Sequence, residues 1–99
     1  MKLRLGVIFG GVSVEHEVSI ISAVQAMKHL NREKYEIIPI YIGKDKEWYT
    51  GNALKEIDIY SDIDLVKRYS KNVVLTTKKD KYVLLKKNGI KRIVDYVDL

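Results

Sequence analysis

Two glycines, two glutamates and one histidine crowd into eight residues of this chain: Gly10-Gly11, then Glu15-His16-Glu17. A short apolar run, Leu5 to Phe9, ends at the glycine pair, and a segment of helical period begins near Ser13. A strand, a glycine turn and a helix start in succession form a place for chemistry, because the first backbone N–H groups of a helix lack partners and its dipole is positive there. Two acids in that first turn disfavour a bound phosphate. They suit a cation or a zwitterion, such as the ammonium group of an amino acid, and the helix start favours the ionised carboxylate that an ammonium needs.

Each of these residues has a plainer explanation. A tight strand-to-helix turn alone calls for residues that accept positive φ, which accounts for Gly10-Gly11 without a ligand. The spacing of Gly6, Gly10 and Gly11 is not G-x-G-x-x-G, and no Gly-Lys-Ser/Thr follows, so dinucleotide and Walker phosphate loops are excluded. Glu15 and Glu17 both complement the dipole, worth about 0.3–1 kcal/mol each. Glu15 is the sharper ligand candidate, and Glu17 is fully explained by the dipole. His16 falls at the angle of the helix's apolar arc, so it either packs against the end of the sheet or reaches a substrate. Ser13 and Ser19 have no His-Asp pair nearby and do not read as nucleophiles.

The elements that must hold these residues follow from periodicity. Leu3–Phe9 reads as a strand covered on both faces, as in a parallel sheet. Ser13 is the expected N-cap of a helix running from about Val14 to Leu30. At about 100° per residue, Ile20, Ala23, Val24, Met27 and Leu30 share one arc, while Val14, Val18 and Ile21 form a second apolar strip, so this helix touches more than the sheet. Tyr35–Ile42 is a second strand, and Pro39 marks an edge or a bulge in it. Strand, helix and strand make a βαβ unit with a right-handed crossover. Gly43 to Lys46 is a turn, Glu47 to Tyr49 a short strand, and Ala53 to Ile57 a helical turn or two. Ser61 to Ser70 fits no regular pattern. Val73–Thr77 and Tyr82–Lys86 form a hairpin, and after Asn88-Gly89 a further strand is expected over Ile90 to Val94.

Ninety-nine residues allow one domain. The chain has no cysteine, which removes disulfides, thiolate nucleophiles and zinc–cysteine sites. Its first apolar run is too short to span a bilayer and does not look like a signal peptide, so the expected place is the cytoplasm. The net charge of +5, from 18 Lys and Arg against 13 Asp and Glu, gathers late, from Lys78 to Arg92. Lysine dominates and no nucleic-acid motif accompanies it. We read a solvated face of edge strands, with neither nucleic acid nor membrane as a partner.

The run Phe9-Gly10-Gly11-Val12-Ser13-Val14-Glu15-His16-Glu17-Val18-Ser19, with Ser22-Ala23 behind it, resembles the N-terminal signature of D-alanine–D-alanine ligases: Gly-Gly, one residue, Ser, one residue, Glu-His/Arg-Glu-Val-Ser. Val12 differs from the family's commoner Lys, Thr or Arg. A weaker similarity extends over residues 1–99.

The resemblance implies an α/β fold, a three-layer Rossmann-like (pre-ATP-grasp) domain with a mainly parallel sheet and a late β-hairpin. It also implies an ATP- and Mg²⁺-dependent ligase of peptidoglycan precursor synthesis. In such a ligase ATP phosphorylates the carboxylate of one D-alanine and the amine of a second attacks the acyl phosphate. By position Glu15 would hold the ammonium of the first D-alanine and Val18 would line the pocket near its methyl. Gly11, His16 and Ser19 would complete the substrate site, with no metal ligand among them.

The family's His-Gly-x-x-Gly-Glu-Asp-Gly motif is absent, as are its ATP-binding lysines, metal-binding acids and transition-state arginine. The resemblance therefore implies a substrate-binding domain over 1–99, truncated at its C-terminal end. The ATP-grasp domains would be supplied by the rest of a ligase that is usually a homodimer, and these 99 residues alone would be inactive. The other reading is a free-standing flavodoxin-like module binding a small ligand at the same strand–helix mouth.

Overall fold

A computed structural model describes residues 2–12, 15–79, 81–88 and 92–98. Its elements are β1 (Leu3–Gly10), α1 (His16–His29), β2 (Tyr35–Ile42), β3 (Trp48–Thr50), two 3₁₀ segments (Asn52–Lys55 and Ile57–Ser61), α2 (Ile63–Tyr69), β4 (Lys71–Lys78), β5 (Lys81–Lys86) and β6 (Ile93–Val97).

The six strands lie in sequence order in one sheet. β1 and β2 pair in parallel across α1, from Leu3 opposite Tyr35 to Gly10 opposite Ile42. This is the βαβ unit expected from the pattern. Every later pairing is antiparallel. The sheet is therefore mixed, and the expectation of a mainly parallel sheet is corrected. The connections from β2 to β3, β4 to β5 and β5 to β6 are too short for a helical crossover, and the longer one from β3 to β4, which carries α2, also returns antiparallel.

β2 shows why its sequence is apolar almost throughout. Ile37 and Tyr41 enter one core with Phe9, Ile20, Ala23, Val24 and Met27, and with Leu54 and Val66 from the later helical segments. Ile38 and Ile40 enter a second core with Val73, Leu84 and Val97 from β4, β5 and β6. The alternation of a strand sends neighbours to opposite faces, and here both faces are buried. Helices cover the first face. The second is covered by the curled-over half of the same sheet. That curl is fastened at Arg4: the Asp98 N–H donates to its carbonyl (2.7 Å) and its guanidinium pairs with Asp95 and lies over the Tyr96 ring (4.5 Å).

Pro39 sits in an interior strand, in register with Val7. Pairing of β2 with β3 covers only Ile40 to Ile42, so the proline lies just beyond that ladder, where its carbonyl takes the Thr50 hydroxyl (2.8 Å). The strand is locally an edge at the one residue that lacks a donor.

Two elements differ from expectation. α2 occupies the stretch that fitted no pattern, capped by Asp62, whose carboxylate accepts from the Asp64 N–H (2.9 Å), and closed by Lys67 and Arg68 in its last turn. A helix of seven residues is too short to show a periodic stripe, but its cap and terminal charges follow the rules for helix ends. β6 runs over Ile93–Val97, later than the Ile90 to Val94 expected, and Ile90, Lys91 and Gly89 lie outside the described residues. The β4–β5 hairpin forms with Val73 opposite Lys86, as expected. Lys78, Lys79, Lys81 and Lys86 on it are exposed.

Gly10 and Gly11 both have positive φ, 93° and 100°. They differ in surroundings. A Cβ on Gly10 would run into the Ile42 carbonyl oxygen and approach the Tyr41 ring to 2.9 Å, whereas one on Gly11 would meet nothing within 4 Å. Gly11→Ala should therefore cost only its backbone strain, about 1–2 kcal/mol. Gly10→Ala adds a clash with backbone that cannot move aside, and should cost about 3 kcal/mol or more. Urea unfolding of the two variants checks the order; equal losses would contradict it.

Candidate functional site

The end of β1, the glycine turn and the start of α1 are tied together by backbone groups. The Gly10 N–H donates to the Ser19 hydroxyl (2.9 Å), and the Gly11 N–H donates to the Ile42 carbonyl on β2 (2.7 Å). The Gly11 carbonyl accepts from His16 Nδ1. α1 begins at His16 with Glu15 at its cap position, φ −94° and ψ 18°, and the Ser19 N–H closes the first turn on the Glu15 carbonyl (2.9 Å). Ser13, expected as the cap, and Val14 lie outside the described residues. The Gly10 and Gly11 N–H groups are thus already engaged, by Ser19 and Ile42, and are not open to a phosphate.

The five residues singled out from the sequence divide into two groups. Glu15 and Val18 face outward; Val18 is 62% exposed, and Ile21 one turn on is 51% exposed. Gly11, Ser19 and His16 serve the turn. His16 is 3% exposed, with Nε2 2.7 Å from the Tyr41 hydroxyl. Both ring nitrogens have protein partners, as packing requires, and the ring also borders the cleft beside Glu17. Ser19 lends its hydroxyl to Gly10.

Glu17 points elsewhere, to Lys44 at 2.8 Å. That hydrogen bond, reinforced by its own backbone N–H and the Lys44 charge, holds the Glu17 carboxyl below the usual carboxylate range. Beside this pair lies a cleft of about 440 Å³ floored by Tyr41, Tyr60, Ile20 and Val66 and rimmed by Lys44, Asp45 and Lys67. Glu15 and Val18 are not in its lining, so the two acids of the first turn serve different sides of the helix.

Around His16 the electrostatics are set by buried phenols. Burial raises the Tyr41 pKa, with Asp45 and Glu17 adding to it, and burial also raises those of Tyr49 and Tyr60. All three therefore stay protonated; Tyr49 donates to Asp45 (2.7 Å) and Tyr60 to the Leu54 carbonyl (2.6 Å). At Asp45 burial pushes the carboxyl up, but the Glu47 N–H and the Tyr49 hydroxyl outweigh it and leave it lowered.

Tyr41 is the residue that reading the sequence missed. The signal was present in the strand pattern: Tyr41 is in register with Phe9 at the carboxyl ends of the parallel pair, directly beneath the helix start.

Among the described residues no group of three or more His, Cys, Asp or Glu side chains could hold a metal ion, and no helix is long and apolar enough to cross a membrane. With no such cluster and the Gly10 and Gly11 N–H groups engaged, the described residues offer no set of groups that fits ATP and Mg²⁺.

Residues 4–98 match the family model described as D-ala D-ala ligase N-terminus. The D-alanine–D-alanine ligase of Thermosipho melanesiensis is 39% identical over 94 residues, covering 95% of this chain and 26% of that protein. The same enzyme of Caldicellulosiruptor bescii is 51% identical over 59 residues, covering 58% of this chain and 16% of its own length. The crystal structure of the VanG D-Ala:D-Ser ligase from Enterococcus faecalis superposes with a TM-score of 0.73 at 29% identity, over 95% of this chain and 26% of that one. The chain thus spans about a quarter of the length of the first of these relatives. A family model matched over residues 4–98, with a relative 39% identical over 95% of the chain, places this chain in the D-alanine–D-alanine ligase family, as its N-terminal domain.

Proposed function

We propose that this chain is the amino-acid-binding part of an ATP-dependent ligase that joins two D-alanines through an acyl phosphate, and that Glu15 holds the ammonium group of the first D-alanine. The observation that carries the reading is Glu15's place: an exposed acid at the cap of α1, close after a glycine pair whose N–H groups are held by Ser19 and Ile42. A glycine pair held by protein partners helps pre-organise the start of α1 to present one carboxylate. Val18, exposed beside it, offers an apolar surface of the size a methyl group needs.

Neither ATP nor Mg²⁺ fits the groups described here, so both belong to the rest of the ligase, and no chemical step is assigned to this chain beyond holding the amino acid. The first D-alanine must keep its ammonium clear of the activated carboxyl while the second amine attacks. A fixed carboxylate at Glu15 does that by charge-assisted hydrogen bonding. The exposed strip of Val18 and Ile21 faces either substrate or the remaining domains. The reading also carries the family's setting: a cytoplasmic homodimer supplying the dipeptide for peptidoglycan.

Two results are expected. In a ligase with this chain as its N-terminal domain, Glu15→Gln should raise the KM for the first D-alanine about ten- to a hundredfold, the loss of a charge-assisted bond of about 1.5–3 kcal/mol. The KM for ATP and the melting temperature should be nearly unchanged. Glu17→Gln is the control. It removes the other first-turn acid and an ion pair to Lys44 that is exposed and adds little, so D-alanine kinetics should stay normal. Equal, mild effects from both would make Glu15 a helix-start acid and nothing more. Separately, calorimetric titration of the 99-residue chain with ATP and Mg²⁺ should give no saturable heat; micromolar binding would contradict the division of labour proposed here.

A further inference from the structure

A buried polar side chain is tolerated when each of its polar atoms has a partner. His16 meets that condition through two partners of different kinds. The Gly11 carbonyl can only accept, so Nδ1 must carry a proton. The Tyr41 hydroxyl, 2.7 Å from Nε2, keeps its own proton because burial raises its pKa, and it can donate. In an imidazole with its one proton on Nδ1, Nε2 accepts from Tyr41. Tyr41 is anchored in its turn. It is 4% exposed, and its ring stacks at an angle on Phe9 (5.6 Å between centroids) and on Tyr60 (5.2 Å). Its neighbour Ile42 takes the Gly11 N–H. The peptide of Gly11 is thus gripped at both ends, its N–H by β2 directly and its carbonyl by β2 through His16.

We infer that His16 is a positioning residue: held as the Nδ1–H tautomer between the Gly11 carbonyl and the Tyr41 hydroxyl, it fixes the turn against α1 and so fixes where Glu15 meets the substrate ammonium. This rests on the ligase reading above. His16 does not touch substrate. It follows Glu15 directly in the chain, so any slack in the imidazole is passed to the cap residue. A shift of about 1 Å in a positioning group can cost on the order of a hundredfold in rate.

Two measurements test the inference, and they fail separately. The first uses the 99-residue chain alone. Long-range ¹H–¹⁵N correlation at neutral pH should show His16 with Nδ1 protonated and Nε2 bare, and Tyr41→Phe should release that preference. A dominant Nε2–H form would overturn the arrangement. The second uses a ligase carrying this chain as its N-terminal domain. His16→Leu removes both hydrogen bonds and should raise the D-alanine KM about tenfold, leaving the ATP KM within about twofold. His16→Asn can still donate to the Gly11 carbonyl from the Nδ1 position and should recover to within about threefold of the parent. Tyr41→Phe keeps the ring and removes only the outer bond, so a folding failure of His16→Leu leaves the question answerable. D-alanine and ATP KM values rising together, or Leu and Asn behaving alike, would make His16 a core residue with no bearing on the site. An unmutated ligase that forms no D-alanyl-D-alanine would remove the ligase reading, while the tautomer result would stand or fall by itself.

Discussion

The grip on the Gly11 peptide is the constraint from which the rest of the site follows. A strand that ends by turning into a helix has a few residues to reverse direction, and its backbone groups must find partners at once or face the cost of burial without them. Here the N–H groups of Gly10 and Gly11 go to Ser19 and Ile42, and the Gly11 carbonyl goes to His16. Those partners come from α1 and β2, so the turn forms only when helix and second strand are both docked. The parallel register of β1 and β2 places Gly10 opposite Ile42 and Phe9 opposite Tyr41, which brings the accepting carbonyl and the phenol to the same spot. Glu15 is the exposed acid at the start of α1, next to this corner.

Much of this corner was legible in the sequence. The strand before the glycines, the helix after them, the parallel partner at Tyr35–Ile42 and the packing of His16 on the apolar arc all followed from period and local chemistry. The arc Ile20, Ala23, Val24 and Met27 is buried as its spacing requires, and Val18 and Ile21 are exposed as a second strip. Local signals describe what a segment does with its own backbone and one buried face, and these segments depend on little else.

What was not legible depends on partners far along the chain. Tyr41 could be seen as a strand residue but not as the donor to His16, since that bond needs the register of two strands and the pitch of a helix across 25 positions. The resemblance implied a mainly parallel sheet, and nothing in a short strand states whether its neighbour runs with it or against it. α2 escaped because seven residues give too few turns for a stripe, although Asp62 and the Lys67-Arg68 pair marked its ends. The fastening of Arg4 to β6 joins the two ends of the described chain, a contact that pattern within a window does not reveal.

The central claim is that one outward carboxylate on a fixed turn holds an amino-acid ammonium. A crystal structure of a ligase carrying this domain, with D-alanine and a non-hydrolysable ATP analogue bound, tests it most directly. The account predicts the ammonium nitrogen about 2.7–2.9 Å from a Glu15 carboxylate oxygen, the range of a charge-assisted hydrogen bond, with the Gly10–Gly11 turn and its bonds to Ser19, Ile42 and His16 unchanged. An ammonium held by other groups while Glu15 faces solvent, or a turn rebuilt on binding, would contradict it.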